Sequence, residues 1–302
     1  MTKFIGIYNN KGGVGKTTLS LFISDFLSSI TINQKKSRVL VIDFDPQASC
    51  SNAILGINKI SNIRSKQRTL PHALLEKIKG SKCIKLEDYI FTREKKEKPG
   101  TRKVKLGNLD VISSSSELVT EFEESSSLDD SLLISKWMKD QLSGKYDFVF
   151  VDLPGNLSKR NGYSLVGAFL VDFFIIPTEL NRININAIPL TLKILDSIKE
   201  WRGEDNQFKL LGFVLNKADK RTKQYRLHKD ELVQFANIRG CKIFDSVLPP
   251  TPKLSNATDD SIEFFTLSDR YDTYYKNVRS LVLEIVESLG FSIKRKKNSA
   301  TV

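Results

Sequence analysis

The chain has 302 residues, 40% of them hydrophobic, and carries a formal net charge of +12 at pH 7. That is apolar material for one large core, and no apolar run approaches the roughly 18 residues of a membrane span. The three cysteines, Cys50, Cys83 and Cys241, are far apart and include no C-x-x-C, so neither a zinc site nor a disulfide framework is supported and a reducing cytosol fits.

The opening "MTKFIGIYNN" reads as a short strand over 4–8, without the apolar region and cleavage site of a signal peptide. It runs into "NNKGGVGKTTLS" (9–20), nearly the phosphate-binding pattern G-x-x-x-x-G-K-[ST]. Position 10, where the first glycine belongs, holds Asn10, and a second lysine, Lys11, follows it. Gly12, Gly13 and Gly15 let the backbone bend so that successive N–H groups face one concavity at the start of a helix, which a polyphosphate fills. In such a loop Lys16 contacts the β- and γ-phosphates and Thr17 offers a hydroxyl to magnesium. Lys11, Gly12, Gly13, Val14, Gly15, Lys16, Thr17 and Thr18 are therefore the candidate nucleotide-binding residues. A helix is expected from Lys16 to about Ile30, with Leu19, Phe22, Ile23, Phe26 and Leu27 on one face.

Further apolar runs follow: "RVLVIDFD" ending in Asp43 and Asp45, "LDVIS", "YDFVFVDLPG" containing Asp152, "DFFIIPTE" and "LLGFVLNK". Continuous Val, Ile, Leu and Phe mark strands buried on both faces. The fold expected is α/β: a doubly wound, mostly parallel sheet flanked by helices. Its chemical residues sit just past strand C-terminal ends, where such sheets bind ligands. Residues 58–108 are the least regular. They read as an elaborated connection containing a short helix, "PHALLEKIKG", and not as a second domain. One domain over 1–290 and a basic tail over 291–302 are expected.

The charge is concentrated. "FTREKKEKPGTRKVK" (91–105) and "KADKRTKQYRLHK" (217–229) are each net +5, the tail adds four basic residues, and the remainder is close to neutral. Such patches on a near-neutral body point to a polyanion partner, although charge runs are usually solvated loops.

"KGGVGKTT" resembles the deviant Walker A motif of the ParA/MinD family of P-loop ATPases. "VIDFDPQAS" resembles that family's DxDPQ segment, and "FVFVDLPG" its Walker B strand, with Asp152-Leu153-Pro154-Gly155 where the family commonly reads D-x-P-P. The resemblance covers nearly the whole chain and implies ATP and ADP as ligands, magnesium as cofactor, and weak ATP hydrolysis that a partner stimulates. It implies that Lys11 reaches across a nucleotide-sandwich homodimer to the other subunit's phosphates, acting in trans as an arginine finger does. It makes Asp45 the residue that orients or activates the attacking water, with possible magnesium contact through water, and Asp152 a magnesium ligand through water. Lys11, Lys16 and Asp45 are thus the candidate catalytic residues. Asn216 matches an adenine contact, and Pro250 lies in a segment closing over the base.

Partition members of the family bind nonspecific DNA as ATP dimers and are stimulated by a ParB-like centromere-binding or cargo adaptor protein. Arg221 matches a DNA-contacting arginine, with Lys217, Lys220, Lys223 and Arg226 around it. The resemblance therefore implies plasmid or chromosome partition by a cytoplasmic, nucleoid-associated ATPase. The alternative is a MinD-like positioning ATPase for the division site or another cargo. The tail is short and poor in apolar residues for a membrane helix, which makes membrane attachment the weaker reading. A helix-turn-helix repressor, an iron–sulfur ATPase and a tyrosine autokinase lack the segments they would need.

Overall fold

The computed structural model describes residues 1–32, 35–81, 83–93, 106–204, 207–259, 261–262 and 264–291. The basic stretch over 94–105 and the tail over 292–302 lie outside the described residues.

The strands are β1 (Lys3–Ile7), β2 (Thr31–Ile32), β3 (Lys35–Lys36), β4 (Val39–Asp43), β5 (Phe91–Arg93), β6 (Leu109–Ile112), β7 (Phe148–Asp152), β8 (Phe173–Thr178), β9 (Lys209–Leu215) and β10 (Lys242–Ile243). Apart from the small β2–β3 ribbon they form one sheet in the order β10-β9-β8-β1-β7-β4-β6-β5. All pairs in it are parallel except β5 with β6. The doubly wound parallel sheet read from the apolar runs is therefore the observed one. β1 sits between β7 and β8, so the chain winds away from it in both directions. Its C-terminal end is the crevice where such sheets bind ligands.

The helices are α1 (Lys16–Ser29), α2 (Ser49–Leu55), α3 (Ile57–Ser65), α4 (Leu70–Ile78), α5 (Val119–Ser125), α6 (Leu128–Leu142), α7 (Gly162–Leu170), α8 (Arg182–Arg202), α9 (Lys223–Ile238), α10 (Pro252–Asn256), α11 (Leu267–Tyr271) and α12 (Tyr275–Ser288). They cover the sheet on both faces because successive strand residues point opposite ways. Ile5, Val41 and Phe150 join one core with α1, α2 and α12, while Phe4, Leu40 and Val151 join the other with α4, α7 and α8.

Two differences from the sequence reading bear on the site. α1 was expected to bury one face, but residues 19–28 are buried on every side, because the helix lies between the sheet and the pair α2 and α12. Its polar residues must then find partners inside the protein. Second, the basic stretch 91–105 opens as an edge strand and not as solvated loop. Thr92 donates its hydroxyl to Asp110 at 2.6 Å, and Arg93 turns inward to Asp25 at 2.6 Å. Arg93 is thus removed from the surface patch in which its charge had been counted.

Candidate nucleotide site

The loop between β1 and α1 is shaped by left-handed glycines. Gly15 has φ 90°, and a Cβ there would collide with the Asn216 amide. That amide, buried at the end of β9, donates to the Val14 carbonyl at 2.8 Å. The expected adenine residue therefore also braces the phosphate loop from below. Gly155, where the family commonly has a second proline, is closely packed too: a Cβ there would lie 3.1 Å from the Asn10 carbonyl and 3.4 Å from Lys16 Nζ. The departure from D-x-P-P leaves room for the phosphate loop to pass.

Lys16 donates to the Lys11 carbonyl at 3.1 Å. Burial lowers its pKa, while Asp152 and Asp45 pull it back up. A partly desolvated ammonium at a helix N-terminus is primed to pair with phosphate. Lys11 itself is exposed at the mouth of the loop. Lys217, read from sequence as part of a DNA patch, points elsewhere. With φ 47° it folds back, donates to the Gly13 carbonyl at 2.6 Å and pairs with Glu179 at 3.3 Å. The structure puts it at the nucleotide cleft.

The carboxylates are brought together by register. β4 and β7 pair Asp43 directly with Asp152 at their C-terminal ends. Asp43 accepts from the Ser51 amide at 2.9 Å, the Ser51 hydroxyl at 2.8 Å and the Asp45 amide at 3.1 Å, so it anchors the turn into α2. Burial first, and then the neighbouring Asp152, push its pKa upward. Asp152 accepts the buried hydroxyl of Ser20 at 2.7 Å on Oδ1, while its buried Oδ2 has no hydrogen-bond partner. Burial raises the Asp152 pKa, opposed by the Ser20 hydroxyl that it accepts and by the nearby Thr17 hydroxyl. Asp45 is half-buried in the cleft and accepts the Gln47 amide at 2.9 Å.

A buried carboxylate oxygen left without a partner needs a cation or water. With the Thr17 hydroxyl beside it, the donor set is all oxygen, which suits magnesium. Among the described residues no cluster of three or more His, Cys, Asp or Glu could hold a metal alone. Ser20 was missed from sequence, because a serine within "TTLSLF" reads as helix filler.

The cleft has a volume of about 1080 Å³ and runs from the phosphate loop to Pro250 and α10, so Pro250 and Asn216 both line it. Its far wall is braced from behind. Arg270 donates to the Ala257 carbonyl at 2.9 Å and the Ala53 carbonyl at 3.2 Å, and pairs with Asp25 at 3.3 Å. Asp25 also accepts the Tyr271 hydroxyl at 2.9 Å and pairs with Arg93. Burial pushes the Asp25 carboxyl up, but Arg93 and Arg270 outweigh it and hold it below its ordinary value.

The remaining basic residues of 217–229 lie outside the cleft. Arg221 is 90% exposed and clasps Asp219 through Nε and NH2. Lys220 donates to the Asp245 carbonyl at 3.2 Å and Arg226 to the Arg221 carbonyl at 3.1 Å, while Lys223 is exposed. A second groove of about 640 Å³ is lined by Lys220, Arg221 and, from α12, Lys276, with Asp219 and Asp245 between them, and shares Pro249 with the nucleotide cleft. Lys276 was absent from the sequence reading because it lies far along the chain from the patch.

Comparison with known proteins agrees with this geometry. Residues 2–209 match the model of the AAA_31 family, described as an AAA domain. The chromosome partitioning protein ParA of Caulobacter vibrioides is 27% identical over 84% of this chain and 83% of its own. The structure of apo McdA from Cyanothece superposes with a TM-score of 0.71 at 20% identity, covering 96% of this chain and all of that one. The septum site-determining protein MinD of Pyrococcus horikoshii, complexed with Mg-ADP, gives 0.65 at 21% identity over 96% and 98% of the two chains. The braced phosphate loop, the paired strand-end aspartates and these matches together show that the chain belongs to the AAA_31 family, as a P-loop ATPase of the ParA/MinD group.

Proposed function

We propose that this protein is an ATP-driven DNA-binding switch that dimerises on ATP and moves a plasmid or chromosome by cycling on and off nucleoid DNA. The observation carrying this reading is the adjacency of the two clefts. The basic loop starts right after Asn216, which braces the phosphate loop, and its groove shares Pro249 with the nucleotide cleft. A change at the nucleotide can therefore reach Lys220, Arg221 and Lys276 through a few packed residues.

In this reading Lys16 holds the β- and γ-phosphates, and the loop amides cradle them. Lys11 leaves its own loop and neutralises charge on the partner's nucleotide. Asp45 orients water near the γ-phosphate. A carboxylate there repels phosphate, so it acts on the water and not on the phosphorus. Magnesium, when bound with the nucleotide, neutralises phosphate charge, and Thr17 and Asp152 hold its shell. Two copies of the basic groove on one dimer gain by effective concentration, which makes DNA affinity depend on ATP. Named relatives support the reading, since the Caulobacter protein is a chromosome partitioning protein. A ParB-like adaptor bound to the cargo then supplies the stimulus for hydrolysis.

The MinD-like alternative finds less support. α12 buries Val278, Leu281, Val282, Ile285 and Val286 against α1, so its apolar stripe is already used. No helix among the described residues is long and apolar enough to cross a membrane. The test is fluorescence anisotropy with random-sequence duplex DNA at several salt concentrations, with ATP and with ADP. ATP-dependent binding is expected, and Arg221→Glu should weaken it and lower the slope of log affinity against log salt by about one unit. Absence of ATP-dependent DNA binding in the parent, or binding to anionic liposomes in its place, would overturn the partition reading.

A further inference from the structure

The place where the phosphate loop departs from the usual pattern is held by side chains outside the loop. Asn9, fully buried, makes three of the four hydrogen bonds open to a carboxamide. Its Nδ2 donates to the Pro177 carbonyl of β8 at 2.8 Å, and its Oδ1 accepts the Lys11 amide at 2.8 Å and the Thr191 hydroxyl at 3.1 Å. Thr191, fully buried on α8, accepts the Asn10 amide at 3.3 Å. Its one hydroxyl proton can also turn to the Ala187 carbonyl at 3.2 Å. On the other side, Gly155 packs against the Asn10 carbonyl.

Thus the two backbone N–H groups at positions 10 and 11 do not face a phosphate. They are spent on Asn9 and on α8. An exposed lysine side chain loses conformational entropy when it engages a distant phosphate. Fixing its backbone beforehand reduces that loss, and the hydrogen bonds here do so at the residue whose ammonium must leave the loop.

We propose that Asn9 and Thr191 are positioning residues for Lys11, tethering its backbone to β8 and α8 so that its ammonium points out of the subunit toward a second copy of this chain. The proposal rests on the in-trans reading of Lys11 given above. In that reading nucleotide binding within one subunit uses the amides after Gly12 and the Lys16 ammonium, neither of which Asn9 or Thr191 touches, although Lys16 meets the tethered residue at the Lys11 carbonyl. The tether therefore separates two properties: dimerisation depends on it, and the binding of ADP by a single subunit does not.

The test is Thr191→Val, which removes the hydroxyl at nearly constant volume, with Thr191→Ser as the conservative variant and Lys11→Ala as reference. Fluorescent ADP titration reads single-subunit binding, and analytical ultracentrifugation with ATP and magnesium reads dimerisation. Thr191→Val should keep ADP affinity within about 2-fold while weakening ATP-dependent dimerisation by about 10-fold, the worth of one hydrogen bond. Thr191→Ser should restore dimerisation, and in a Lys11→Ala background Thr191→Val should have no further effect, as coupling of the two residues requires. Asn9→Ser, which keeps a single acceptor, should show the same split. Equal losses of ADP affinity and dimerisation in Thr191→Val would reduce the tether to general loop support and overturn the proposal, as would parent-like dimerisation. Normal dimerisation and turnover in Lys11→Ala alone would overturn the in-trans reading itself. Loss there with no effect of Thr191→Val would leave that reading standing and reject only the tether.

Discussion

Replacing Asp25 by Asn tests whether the rear wall of the cleft is held by charge. The substitution keeps the shape and removes one negative charge from a site where Asp25 is 0% exposed, Arg270 4% and Arg93 12%. Two guanidinium groups are then left facing a neutral amide. Breaking a buried pair by removing one partner costs about 3–5 kcal/mol, because the remaining charge stays desolvated. At about 2–4 °C per kcal/mol for a large domain, the melting temperature should fall by about 6–20 °C. The sign with pH follows from the pairing. The Arg93 and Arg270 charges hold the folded-state pKa of Asp25 below its ordinary 3.8. Its stabilisation is therefore fully present above that value and is lost as pH falls through the folded pKa. The gap between parent and variant should be constant from pH 8 to pH 5 and close only in stronger acid. Urea denaturation followed by circular dichroism across that range measures it. A loss below about 1 kcal/mol at pH 7, or a gap that closes already near neutrality, would refute the argument.

Lys16→Ala should weaken ATP binding by about 10- to 100-fold, the worth of a charge-assisted contact; unchanged titration with a fluorescent ATP analogue would remove Lys16 from the phosphate site. Asp45→Ala should slow single-turnover hydrolysis by about 100-fold while ADP affinity holds and the ATP dimer persists. Because Asp45 also accepts the Gln47 amide, Asp45→Asn serves as the control that keeps the turn. Ser20→Ala should raise the magnesium concentration needed for half-maximal nucleotide binding by about 5-fold, since Asp152 loses the hydroxyl that fixes its orientation. Ser20→Thr should restore it, and a magnesium titration unmoved in Ser20→Ala would show that the hydroxyl serves the fold alone.

The central strands were legible because burial on both faces demands unbroken apolar runs. Val39–Asp43 and Phe148–Asp152 are buried at every position. The phosphate loop was legible because its chemistry is local: glycines, a lysine and a threonine at fixed spacing. What sequence did not show are interactions set by distance in space. Asp25 in the middle of an apolar helix gives no sign that its partners lie at Arg93 and Arg270. Lys217 was grouped with Arg221 by proximity in the chain, but a positive φ turns it to the phosphate loop. Arg93 was counted by its charge, which says nothing of the direction its strand faces.

The strand order also dictates when this site can exist during synthesis. β1 and its loop are made well before both neighbours of β1: β7 ends at Asp152 and β8 at Thr178. The brace under the loop comes later still, at Asn216, and the far wall later again, at Pro250 and Arg270. Until then the most glycine-rich part of the site hangs on an unpaired apolar strand, the kind of exposed segment that favours misassembly in a nascent chain. Nucleotide affinity is therefore a property that the polypeptide acquires only after the residues up to Arg270 have been made. ATP cannot guide the folding of the segments made before them, and it stabilises only a chain in which Asn216 and the wall around Arg270 have already docked.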